Sequence, residues 1–162
     1  MRRGAYGAAA VVLALALPGA AGARDGVQIG GTVDSVLGLA VLDDPSGLGT
    51  FPKAGTQSLA FHAEITSTTD ETLLSVADGD ADAAPRHGHL AGAGGVLPLP
   101  LEVAAGDAAF QPLDGAVDPL LERWTTPLAA QPVTVTVRQR TTAPATGSYR
   151  KTILITVSAT TP

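Results

Sequence analysis

Alternating β-branched side chains near the end of the chain most limit how it can fold. Apolar residues fill every second position of the run Val133 to Val137 and, except for Lys151, of the run Tyr149 to Val157. A period of two turns one face of each run toward a core, as in half-buried strands. Pro144 and Gly147 lie between the runs, so we predict that they pair as a hairpin. We expect the second run to be a central strand, with Lys151 near the rim of the core.

Earlier segments have the same character. Val27 to Val33 alternates, and Val36 to Leu42 predicts a more fully buried strand. Leu59 to Ile65 alternates as well, and a Thr/Ser-rich turn joins it to Leu73 to Ala77, which predicts another hairpin. Val96 to Val103 carries Pro98 and Pro100, so it is expected to be an edge strand or an extended segment.

The remaining local signals are a helical start and a loop. Asp118 to Arg123 is predicted to form one helical turn, with Asp118 as its N-cap and Pro119 at its first position. Residues 78–95 are predicted to form a long surface loop. The sequence therefore predicts an all-β fold, an antiparallel β-sandwich with at most one short helical turn, as a single domain over residues 24–162.

The start of the chain predicts export. Arg2 and Arg3 precede the apolar run Ala8 to Leu17, and a Pro-Gly pair and small residues follow, so residues 1–23 are expected to be a signal peptide. Removing them takes away two arginines and no acid, which changes the formal charge from −5 to −7. Such an acidic chain is a poor partner for nucleic acid or anionic lipid. We expect a secreted or cell-surface protein with no membrane span in its mature chain.

The stretch Gly147 to Ser158 resembles the closing strand of small exported β-proteins from high-GC Gram-positive bacteria. It is more distantly similar to the closing motif of WxL-type cell-wall-binding domains, with Thr72 to Asp78 as the earlier counterpart. The signature Trp-x-Leu pairs are absent, and Trp124 lies outside both motifs, where we interpret it as a structural anchor. The resemblance implies a surface β-fold without enzymatic activity.

The loop holds the candidate metal ligands Asp78, Asp80, Asp82, His87 and His89. Alternate carboxylates are typical of the start of a calcium loop, and the two imidazoles could bind zinc or copper. Ala83 stands at the sixth position, where an EF-hand-like loop needs Gly. Two interpretations stay open, a solvated acidic loop without a cofactor and a calcium or zinc site.

No catalytic constellation stands out in the sequence. It contains no G-x-S-x-G motif and no cysteine, which excludes thiol chemistry and thiolate metal sites. His62 and Glu64 share one face of a predicted strand, which favours a polar surface over an acid–base pair.

We therefore expect a non-enzymatic β-sandwich protein that acts through protein or cell-wall contacts. Its expected partner is an envelope component or another surface protein, and self-assembly is an option. The alternative is a metal- or ligand-binding module that uses the loop from Asp78 to His89.

Overall fold

The computed structural model describes residues 35–43, 45, 47–80 and 84–159. All of them belong to one compact unit, Val33–Pro162. Every regular element among them is a strand, and every strand pairing is antiparallel, which confirms the predicted all-β class. No helix in these ranges is long and apolar enough to cross a membrane. The predicted signal peptide and the predicted strand at residues 27–33 lie outside the described residues.

The strands are numbered in chain order and form three sheets. The large sheet has the order β1-β2-β9-β6-β7, which are Leu37–Val41, Gly55–Ser67, Leu128–Thr141, Leu101–Ala105 and Gln111–Pro112. The second sheet has the order β11-β3-β8, which are Ile153–Ala159, Thr72–Asp78 and Leu120–Trp124. The small sheet has the order β10-β4-β5, which are Tyr149–Arg150, Ala91–Gly92 and Gly95–Val96.

The core lies between the large sheet and the second sheet. The alternation in β2 buries Phe61, Ala63 and Ile65 as predicted, because these residues share one face of the strand. Leu74 and Val76 of β3 belong to the same apolar cluster from the opposite side. Two antiparallel sheets that bury facing apolar rows form a β-sandwich, so this part of the prediction is confirmed.

The predicted hairpin of β2 with β3 is wrong, because the two strands lie in different sheets. A corner of hydroxyl groups joins them. Thr72 Oγ1 donates to Ser67 Oγ at 2.8 Å, and the Thr69 amide donates to the same oxygen at 3.2 Å. Ser67 and Thr72 are both fully buried, so these bonds satisfy polar groups at the point where the chain crosses the sandwich.

The predicted hairpin at the end of the chain is also wrong. The Val133 to Val137 run belongs to β9, which pairs with β2 and β6, whereas β11 pairs with β3. The second run is split into β10 and β11, and β11 lies at an edge of its sheet rather than at the centre. Its apolar row packs against the core as predicted, through Ile153, Ile155 and Val157.

Three further expectations need correction. The Val36 to Leu42 region is an exposed edge strand, β1, rather than a fully buried one. β6 begins after Pro100 and is an interior strand between β9 and β7, whereas the two prolines predicted an edge strand or an extended segment. Leu120 to Arg123 belong to β8, and Asp118 and Pro119 precede that strand instead of starting a helical turn, because pairing with β3 overrides the local capping signal.

Two predictions about side chains and loops have mixed outcomes. Trp124 is partly buried against the core, consistent with a structural anchor. The segment 78–95 is less of a surface loop than expected, since it contains the end of β3 and the strand β4. Leu90 and Ala91 within it are buried.

Replacing a core leucine of the second sheet should cost far more stability than replacing an outward one. Leu74 is 0% exposed and Leu154 is 56% exposed, on neighbouring strands. Leu74→Ala should lower the free energy of unfolding by about 2–5 kcal/mol, because it leaves a cavity. Leu154→Ala should change it by less than about 0.5 kcal/mol. Urea denaturation measures both, and equal losses would contradict this packing.

Candidate functional site

Lys151 occupies a core-facing position, two residues before Ile153 in the alternation. Its side chain is 1% exposed, so the prediction that it lies near the rim is wrong. Its Nζ lies 2.7 Å from Asp78 Oδ2 and 3.5 Å from Asp80 Oδ2, and it donates to the Arg86 carbonyl oxygen at 3.0 Å. These oxygens surround the ammonium group and compensate for its removal from water.

Asp78 ends β3 on the same core-facing row, and its side chain is 0% exposed. Burial by itself would raise the pKa of this carboxyl group. The hydrogen bond from Lys151 opposes that effect, and so do backbone amides, with Gly88 donating at 2.6 Å and Asp80 at 3.0 Å. These donors dominate and hold the pKa of Asp78 below its usual value.

Gly88 brings the loop close enough to reach that carboxylate. Its φ is +70°, a left-handed conformation that favours glycine. A Cβ at this position would lie 2.4 Å from the backbone nitrogen of Asp114, which is closer than packed atoms approach. A larger residue would therefore displace the loop and its hydrogen bond to Asp78.

Asp80 links this buried centre to solvent. Its side chain is 30% exposed, and its Oδ2 accepts a hydrogen bond from the Thr152 amide at 3.1 Å. The Thr152 hydrogen bond is the main cause that holds the pKa of Asp80 below its usual value. Asp80 also lines a cleft of about 650 Å³, together with Arg86, Tyr149 and Arg150. The buried ion pair thus has an acidic neighbour at the wall of an open cleft.

The structure brings some of the predicted metal ligands together and separates others. His87 Nδ1 lies 3.4 Å from Asp78 Oδ2. His89 instead directs Nδ1 to the Leu97 carbonyl oxygen at 2.7 Å and Nε2 toward Asp114 at 3.6 Å. Asp82 lies outside the described residues. In the ranges that are described, no three His, Cys, Asp or Glu side chains are placed to hold a metal ion.

The sequence alone does not reveal Lys151 as part of this centre. Asp78 was assigned to an acidic loop, and the partner that satisfies it comes from a distant part of the chain. One signal was present, because the alternation that places Ile153, Ile155 and Val157 on the core side also places Lys151 there. A lysine in a core-facing row needs a buried anion, and Asp78 ends the neighbouring strand.

A second charged cluster lies on the outer face of the large sheet. Glu102 of β6 accepts hydrogen bonds from Arg138 Nε at 2.7 Å and from Arg140 Nη2 at 2.9 Å, both on β9. Burial alone would raise the pKa of Glu102, but the two guanidinium groups outweigh it and hold the pKa below its usual value. Arg138 also lies 3.7 Å from the ring centroid of Phe110. This arrangement stabilises β6 against β9 and offers no open site, since each arginine is engaged.

His62 is an exposed residue of β2, as predicted from its position in the alternation. Its Nδ1 lies 2.6 Å from Asp43 Oδ2, with 60% of the histidine side chain exposed. This contact holds the pKa of Asp43 below its usual value, mainly through the side-chain hydrogen bond. The partner of His62 is therefore Asp43, which attaches the end of β1 to β2.

Comparisons with known proteins do not assign this chain to a family. No protein-family model matches this sequence, and no curated protein matches it. One similar solved structure is described as a chaperone–tip adhesin complex of CFA/I fimbriae biogenesis. The sequence identity is 12% and the TM-score 0.48, over 76% of this chain and 42% of that chain. This chain thus spans less than half the length of the chain it matches.

Calcium or zinc should leave the thermal unfolding temperature of the protein unchanged. The oxygens of Asp78 and Asp80 already accept hydrogen bonds from Lys151 and from backbone amides, so a cation would have to displace them. Only a ligand that prefers the folded state raises the melting temperature. Differential scanning calorimetry with each metal and with a chelator makes the comparison. A metal-dependent rise that disappears in Asp80→Ala would establish the loop as a metal site.

Proposed function

We propose that this protein is an exported, non-enzymatic β-sandwich that acts at the cell surface or in its matrix through contacts between protein strands. The observation that supports it most is one side of the sandwich where two uncharged strand edges are unpaired among the described residues. β1 and β11 form this side and lie beside each other. We call it the open side.

The other sheet edges carry features that prevent pairing with another chain. β7 has two residues, one of them Pro112, and β5 and β10 also have only two residues each. β8 carries Glu122 and Arg123. Short length, proline and charge are the usual means by which edge strands avoid association.

The open side has none of these features. β11 has seven residues and β1 has five, and neither contains a charged residue or proline. Within the described ranges, no strand pairs with the second edge of either one. Leu37 and Val41 of β1 and Leu154 of β11 are exposed apolar side chains. Such an edge presents free amides and carbonyls together with apolar surface, which favours strand addition.

The occupant that fits this side best is a second copy of the chain. Antiparallel pairing of β11 with the same strand of another copy would place the half-buried row of Ile153, Ile155 and Val157 beside its own equivalent. On the outward face, a register centred on Thr156 would place Thr156 opposite Thr156 of the other copy and Leu154 opposite Ser158. An isologous contact of this kind closes as a dimer with twofold symmetry. No like charges would oppose each other, because the strand has none.

The predicted signal peptide supports the location. The alternative, a metal-binding module built on the loop from Asp78 to His89, has less support. Both described aspartates in that segment are hydrogen bonded to Lys151 or to backbone amides.

A lysine on the β11 edge should weaken self-association. In a twofold pair, Thr156→Lys would place two like charges near each other across the new contact, which is unfavourable. The dimer dissociation constant should rise by up to about fivefold, since such a pair costs up to about 1 kcal/mol. Sedimentation velocity over a range of protein concentrations measures it.

Thr136→Lys is the matched control. It adds the same charge to β9, whose two edges are paired with β2 and β6, so the association of this variant should equal that of the unaltered protein. A protein that stays monomeric at all concentrations would refute the homotypic contact. Equal association of both variants would show that the dimer uses another surface.

A further inference from the structure

We infer that Lys151 and Asp78 form an intramolecular amide bond that covalently joins β3 to the segment between β10 and β11. The amine and the carboxyl group are in contact at 2.7 Å, and their side chains are 1% and 0% exposed. An amine and an acid condense slowly in water, because the ammonium ion is not a nucleophile, the carboxylate is a poor electrophile, and the two groups must also meet in the right geometry. A fixed contact removes the last of these costs and is equivalent to a very high local concentration.

The reaction balances with these two groups alone. The ammonium and the carboxylate first exchange one proton and become a neutral amine and a carboxylic acid. Lys151 Nζ then attacks Asp78 Cγ, a C–N bond forms, and one C–O bond breaks. The leaving hydroxyl group takes up the proton that nitrogen loses and departs as water. No oxidant, metal or cofactor is consumed.

Shielding from water favours the conversion of the two charged groups into a neutral amide. A buried ion pair is costly because both ions have lost their hydration. Conversion to an amide replaces two buried charges with one neutral group. The expelled water has a route out, since Asp80 borders both the buried pair and the open cleft.

Asp80 is positioned to assist the proton transfers. Its Oδ2 lies 3.5 Å from Lys151 Nζ and is held there by the Thr152 amide. We assign to it the transfer of one proton from the attacking amine to the leaving oxygen, as a general acid and base. His87 Nδ1 also lies 3.4 Å from Asp78 Oδ2, but this is the oxygen that is already in contact with Lys151 Nζ.

The position of the bond gives it a structural role. The chain has no cysteine, so it contains no disulfide. An amide between these side chains would close the chain from residue 78 to residue 151 into a loop. It would also fix the strand β11 in its sheet. A cross-link over a long loop restricts the unfolded chain.

Intact mass under denaturing conditions tests the bond on the unaltered, full-length protein. We expect a mass that is lower by one water molecule than the mass calculated from the sequence that starts at the protein's own N-terminal residue. Digestion should release the peptides that contain Asp78 and Lys151 as one joined species. An unaltered protein with its full sequence mass would overturn the inference and leave an ordinary buried ion pair. This result does not depend on whether any variant folds.

Three variants and one control variant extend the test. Lys151→Arg should retain its full mass, because a guanidinium does not form this bond. Asp78→Asn should reach the same final mass as the unaltered protein, since it forms the same amide with loss of ammonia. Asp80→Asn should slow the appearance of the lighter species at least tenfold, whereas Asp43→Asn, the matched control, should not. Equal rates for these last two would contradict the role assigned to Asp80.

Discussion

The contact between Lys151 and Asp78 is the interaction on which this end of the sandwich depends. It joins the end of β3 to the chain just before β11, at core-facing positions where an unpaired charge would be strongly destabilising. The same carboxylate accepts the Gly88 amide, and the same ammonium donates to the Arg86 carbonyl oxygen. One ion pair therefore positions β3, β11 and the loop between β3 and β4.

This attachment determines the sheet edge that the protein presents. Because β11 is held against β3, its second edge faces away from the sheet, next to β1. The charges of β8 and the short length of β5, β7 and β10 protect the remaining edges, so the open side is the one place where the described strands invite addition. An anchored edge strand is also a good surface for a stable contact, because little order has to be created when a partner binds.

The sequence allowed the faces of the strands to be predicted, but not their partners. Alternation correctly placed Phe61 and Ile155 toward the core, because a period of two depends on the strand alone. It did not reveal that the corner at Ser67 and Thr72 carries the chain across the sandwich, since a hairpin and a sheet-to-sheet connection both begin with turn residues. The same limit applies to β9 and β11, where a short loop suggested pairing and the chain instead changes sheets.

The candidate site was only half visible for a related reason. The acidic residues at Asp78 and Asp80 were recognised, but their cation is a lysine far along the chain, and a metal ion was the alternative that local spacing offered. Periodicity had placed Lys151 on the core side, and the rim was the expected place for a charge. Only the tertiary structure shows that its buried partner compensates for the loss of hydration.

Hydrogen exchange of the amides in Ile153–Ala159 tests most directly whether β11 is a β3-paired strand with a free second edge. At low protein concentration, where the monomer dominates, this account predicts protection at every second residue, because alternate amides point toward β3 and toward solvent. Uniform protection in the monomer would contradict it by showing that the second edge is already covered. Uniformly fast exchange would show that β11 is not held in the sheet.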